Sequence, residues 1–158
     1  MPGGAVTDLE IAGGTIFVLA GRQWMALSAC VDQRICYTPK RPPARAKPPA
    51  GGLADGGVAT LASGDIRKAW YAAPTEIYGH GILGDGIEAA VLVAEDAAGA
   101  RHEIAAGACT RPDAVFEDLQ PRLADLDGDG TVEIVAIRTF TDAGASIAVY
   151  GLAGGRLS

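Results

Sequence analysis

The most specific chemistry in the chain is concentrated in Asp125-Leu126-Asp127-Gly128-Asp129-Gly130-Thr131-Val132-Glu133. Carboxylates stand at positions 1, 3, 5 and 9 of this stretch, with glycine at position 6. A hard cation such as Ca²⁺ takes six to eight oxygens at about 2.3–2.6 Å, and this spacing presents several from one short loop. Asp125, Asp127 and Asp129 offer side-chain oxygens, Thr131 a backbone carbonyl, and Glu133 an oxygen that closes the shell directly or through water. Gly130 suits the sharp turn such a loop needs, where a side chain would be strained. Like charges this close disfavour ionisation unless something offsets them, which is the physical reason to look for a cation. The competing reading is an Asp-Gly turn between two strands, a common hairpin solution.

The flanking residues decide which kind of loop this is. An EF-hand needs a bidentate acid at position 12 and a helix on either side. Position 12 is Ala136, inside Glu133-Ile134-Val135-Ala136-Ile137-Arg138-Thr139. That segment is β-branched and apolar on both faces, which predicts a buried strand. Ahead of the loop, Pro121-Arg122-Leu123-Ala124 reads as short and extended, with proline at a tolerated strand start. The arrangement is strand, acidic loop, strand.

With these residues in view, Asp125-x-Asp127-x-Asp129-Gly130-x-x-Glu133 followed by Ile134-Val135 resembles the FG-GAP/VCBS type of repeat, the blade unit of integrin-α-like β-propellers. The resemblance covers residues 113–157 and extends more weakly back to residue 65. It implies Ca²⁺ in the loop between the first two strands of a blade. Glu133 stands where the family commonly has aspartate, and the motif occurs once in full. Gly84-Asp85-Gly86 aligns with Gly128-Asp129-Gly130 at an offset of 44 residues, about what four short strands require. In that earlier copy Leu83 and Gly81 replace two aspartates, so it should not bind metal strongly. The expected fold is all-β: about two antiparallel propeller-like blades, a partial β-propeller, with an irregular N-terminal region. A propeller usually has four or more blades. The expectation is therefore a fragment of a longer protein, or self-association through an exposed sheet edge.

Composition bounds the rest. The 158 residues suffice for a domain with a real core. A formal net charge of −6 gives no basic face for nucleic acid. No apolar run is long enough for a transmembrane helix. Three cysteines are too few for a disulfide framework. Residues 1–38 read as an N-terminal hairpin, with Thr15–Ala20 and Gln23–Ser28 flanking Gly21-Arg22. An atypical export signal competes with that reading, because Leu27-Ser28-Ala29-Cys30 resembles a bacterial lipoprotein cleavage box, with Cys30 as the lipid anchor. Asp8, Glu10 and Arg22 oppose it. Otherwise Cys30 and Cys36 form a local disulfide or stay as thiols. Residues 39–64 are Pro/Gly-rich and read as a linker. Residues 65–158 carry the blade strands, starting with Ile66–Tyr71, where Trp70 and Tyr71 are packing residues.

The functional expectation is a noncatalytic, Ca²⁺-stabilised module for binding or adhesion in an exported bacterial-type protein, its ligand an unspecified protein or glycan. Loops of this sort need calcium near about 10⁻⁴–10⁻³ M, which points to an extracytoplasmic location: periplasmic, surface-anchored or secreted. A hydrolase is the rival, with His80 near Tyr78 and Asp85, and His102 beside Glu103. Ser28, Ser63 and Ser146 lack the G-x-S-x-G context of a nucleophile elbow. A third expectation is a structural blade that acts only in assembly.

Overall fold

The computed structural model describes residues 6–12, 15–29, 35–41, 44–77, 87–107, 114–140 and 144–158. It is all-β and antiparallel, with no helix among the described residues. The chain divides into two compact units, residues 1–44 and 45–158.

The first unit is a meander of β1 (Val6–Ala12), β2 (Thr15–Ala20), β3 (Gln23–Ala29) and β4 (Ile35–Pro39). Gly21-Arg22 makes the expected two-residue turn, joining Ala20 to Gln23 with Gly21 at φ 63°. A positive φ there matches the twist of the flanking strands. The cross-strand pairs Phe17–Ala26 and Val18–Met25 are buried. Cys36 is disulfide-bonded, and Cys109 lies outside the described residues. Cys30, the expected lipid anchor, is also outside them.

The second unit holds β5 (Ala59–Thr60), β6 (Ile66–Pro74), β7 (Glu88–Asp96), β8 (Arg101–Ala105), β9 (Ala114–Glu117), β10 (Arg122–Ala124), β11 (Glu133–Phe140) and β12 (Gly144–Tyr150) in one sheet. A separate hairpin follows, β13 (Leu152–Ala153) with β14 (Arg156–Leu157). The main path runs β10-β11-β9-β7-β6-β5. One edge of β7 is shared, by β8 at Val91–Glu95 and by β9 at Glu88 and Ala89. One edge of β11 is shared likewise, by β9 at Arg138–Phe140 and by β10 at Glu133–Val135. These changes of partner curl the sheet until β10 lies against β5 and β6, giving a nearly closed, barrel-like form. The strands expected in two blades thus share one continuous sheet.

Phe116 sits at the centre of the core, fully buried. Tyr71 stacks on it at 5.5 Å between ring centroids, and Tyr150 meets it edge-on at 6.0 Å. Leu53, Ile66, Leu92, Ile134 and Leu157 complete the surroundings. Leu53 comes from the stretch read as linker. Its burial, the pairing of β5 with β6 and the Gly52–Ala72 bridge place residues 45–64 within the second unit. The boundary therefore falls at Arg45 and not at Asp65. Proline-rich composition favours extended chain, but extended chain also packs when one apolar side chain finds a pocket.

Strand β11 differs from expectation on one face. Ile134 and Ala136 are buried, whereas Ile137 is 37% exposed. Its partner β12 likewise leaves Ile147 and Val149 outward, at 75% and 50%. Apolar alternates in β11 were read as two buried faces, but only one of them packs on the core.

Candidate metal centre

The acidic loop spans residues 125–132, between β10 and β11. Ala124 pairs with Glu133, so the strand register itself sets Glu133 beside Asp125. Positions 1 and 9 of the motif meet because the strands close there. Gly128 and Gly130 adopt φ of 80° and 91°, with open space where a Cβ would stand. Their requirement for glycine is thus conformational.

Within the loop the carboxylates collect backbone donors. Asp125 accepts the Gly128 N–H on Oδ1 at 2.8 Å and the Gly130 N–H on Oδ2 at 3.1 Å. Asp127 Oδ1 accepts from the Asp129 N–H at 3.1 Å. Glu133 Oε2 accepts the Leu126 N–H at 2.8 Å, which ties the two ends of the loop together. Asp129 Oδ1 accepts both the N–H and the hydroxyl of Thr131, at 2.8 and 2.6 Å. The Thr131 hydroxyl first, and then its N–H, hold the Asp129 carboxyl below its usual range.

One oxygen each from Asp125, Asp127 and Glu133 lies within 4.8 Å of the others. Two oxygens bound at about 2.3–2.6 Å to one centre can be at most roughly 5 Å apart, so the cluster fits a hard cation. Asp125 and Asp127 are exposed and Glu133 half-buried. No lysine or arginine forms an ion pair with any of the three among the described residues. Each carboxylate has about four lone-pair sites, so one or two backbone bonds leave capacity for a metal. Asp129 stands apart from the trio, its carboxylate turned to Thr131. Thr131 is exposed at the exit of the loop, engaged through its N–H and hydroxyl.

Sequence reasoning missed the support beneath this loop. Asp65 Oδ1 accepts the Val132 N–H at 2.8 Å, across 67 residues. Gly64, at φ 111°, packs so closely that a Cβ there would stand 2.3 Å from Val132 Cγ2. The only local sign was Gly64-Asp65 ahead of a strand, and it does not name its partner.

The residues of the catalytic rival come together less. Tyr78, His80 and Asp85 lie outside the described residues. Glu103 is exposed, while His102 bonds elsewhere, to Asp96 and Gly155. Ser63 and Ser28 are exposed, and Ser146 Oγ reaches only the Arg138 carbonyl, at 3.4 Å. Comparison with protein-family models, curated proteins and solved structures finds no match to this chain. No helix among the described residues is long and apolar enough to cross a membrane.

Proposed function

We propose that the second unit is a noncatalytic binding module whose acidic loop takes Ca²⁺ and is stiffened by it. The observation that carries this reading is the convergence of Asp125, Asp127 and Glu133 with no ion pair to a lysine or arginine among the described residues. Such a cluster gains most from a divalent ion, which would also pin the β10–β11 closure against Asp65. All-oxygen, carboxylate-rich donors favour Ca²⁺, Mg²⁺ or Mn²⁺ over softer metals. The motif's likeness to FG-GAP/VCBS loops favours Ca²⁺ among these. In this reading β10, β11 and β12 act as the metal-bearing part of a blade, and neighbouring loops meet a protein or glycan ligand. The millimolar calcium such loops require suits an exported protein.

Titration calorimetry with Ca²⁺, set beside Asp127→Ala, tests the proposal. Binding to the folded state alone adds about 2.7 kcal/mol of stability at a free Ca²⁺ concentration of 100 times Kd. The parent chain should release heat and melt later with Ca²⁺, and both effects should vanish in Asp127→Ala. Equal heats from the two proteins would end this reading.

The exposed apolar residues Ile137, Ile147 and Val149 favour a second reading, a module that works by assembly. Light scattering over a concentration series distinguishes it, since a strictly monomeric folded species excludes it.

A further inference from the structure

The His102 ring lies between two oxygens. Its Nε2 is 2.9 Å from Asp96 Oδ2, and its Nδ1 is 2.9 Å from the Gly155 carbonyl oxygen. Both oxygens are acceptors, and a neutral imidazole carries only one N–H. Both contacts are therefore hydrogen bonds only when the ring holds two protons. Asp96 is placed in advance, because its Oδ1 accepts the N–H groups of Ala98 and Ala100 in the β7–β8 turn, each at 2.9 Å. Gly155 belongs to the turn between β13 and β14, strands of two residues each. A hairpin that short has little stability of its own and depends on what it docks against. Leu157 and Leu152 anchor it in the core, and the His102 contact is the polar tie to β8 and the β7–β8 turn.

We propose that His102 is a proton-operated latch that holds the β13–β14 hairpin against the β7–β8 turn. Protonated, the ring bridges Asp96 and Gly155. Neutral, it keeps one bond and faces the other acceptor with a lone pair, so the hairpin loosens. His102 and Asp96 side chains are only 14% and 19% exposed, which shields the pair from solvent screening. Among the described residues, the charged groups around it are few. Asp96 faces it from β7, and Arg156 follows Gly155 on β14. On its own strand Arg101 and Glu103 alternate to the opposite face, where Arg101 lies over the Trp70 ring and Glu95 pairs with Lys68. Asp65, at the start of β6, is taken by the Val132 N–H.

Directions of titration agree with the geometry. Hydrogen bonding to Asp96, with a smaller contribution from Gly155, raises His102 above its usual 6.5 against the opposing effect of burial. Bonding to His102 is the largest cause that lowers Asp96 below 3.8. His102's contribution is complete below pH 6.5 and is lost as pH rises through its raised value. Asp96's contribution is present above pH 3.8 and lost as pH falls through its lowered value. The latch is closed between these limits and opens on the alkaline side.

Long-range ¹H–¹⁵N correlation on the full chain follows the two histidine rings from pH 5 to 9, and amide exchange follows Gly151 and Ser158, which bond each other across the hairpin. His102 should titrate above 6.5, with both ring nitrogens protonated at the acid end. Protection of the two amides, corrected for intrinsic exchange, should fall about tenfold between pH 6 and 9 for each unit of that elevation. Asp96→Asn should bring His102 to 6.5 or below, and His102→Gln should make the protection independent of pH. A His102 titrating at or below 6.5 in the parent chain, or parent protection that does not change with pH, would overturn the proposal. Both of those readings need no variant to fold.

Discussion

Gly64→Ala probes the link between the core and the acidic loop most directly. The new Cβ would stand 2.3 Å from Val132 Cγ2, with Val132 Cβ and the Ile66 carbonyl oxygen each at 3.6 Å. Valine cannot swing its methyls aside, since one χ1 rotamer dominates and this side chain is only 4% exposed. Overpacking of this kind costs about 1–3 kcal/mol. The backbone adds its own cost, because φ of 111° is a conformation that L side chains rarely adopt; such strain is of order 1–3 kcal/mol. Together the substitution should destabilise the second unit by roughly 2–6 kcal/mol. Val132→Ala alone should cost about 1.5–2.5 kcal/mol through two lost methyls and the space left behind. In the double variant the clash is gone while the backbone strain persists. Its destabilisation should fall short of the sum by at least about 1 kcal/mol, as expected for side chains in contact. Urea unfolding followed by the buried Trp70, in a Trp24→Phe background that leaves Trp70 as the only tryptophan, reads all four corners. Strict additivity, or a neutral Gly64→Ala, would refute the close approach and the support it gives the loop. If the loop binds Ca²⁺ as proposed, a second readout is that affinity, which should weaken in Gly64→Ala because Val132 sits between Thr131 and Glu133.

Phe116→Ala should destabilise by about 3–5 kcal/mol in the same unfolding assay, because it empties the space between Tyr71 and Tyr150. Tyr71→Phe should be neutral or stabilising. Its buried hydroxyl, near the Ile137 backbone, finds no partner at hydrogen-bond geometry among the described residues, and burial is the main reason its pKa lies far above 10.0. Loss of more than about 1 kcal/mol would reveal a hydrogen bond there. Thr131→Val should raise the Asp129 carboxyl toward 3.8, as read by side-chain carbonyl NMR, since the Thr131 hydroxyl is the largest cause of its depression. Asp129's share of stability is present above pH 3.8 and lost as pH falls through its lowered value, so in Thr131→Val that share should shrink and its loss should be complete at higher pH.

Much of the secondary structure was readable because it rests on short-range chemistry. Gly21-Arg22 and the turn at Asp96–Ala100 separate segments read as strands, and hairpins form at both. The acidic loop was readable for the same reason: aspartates and glycines two residues apart bend the chain and bond their own backbone. The failures have a common origin too. Leu53 in a proline-rich stretch carries no mark of the pocket it enters, and Ile137 and Ile147 look like core residues until the sheet shows which face is covered. His102 seemed to belong with its neighbour Glu103, yet neighbours on a strand point to opposite faces.

By itself, then, the sequence determined several of the strands, their turns and the placing of carboxylates within one loop, because these depend on residues a few positions apart. Only the tertiary structure decided that Asp65 would grip Val132 across 67 residues and that His102 would reach Gly155 across 53. Those meetings follow from how the sheet curls on Phe116, and curvature is a property of all the strands packing at once.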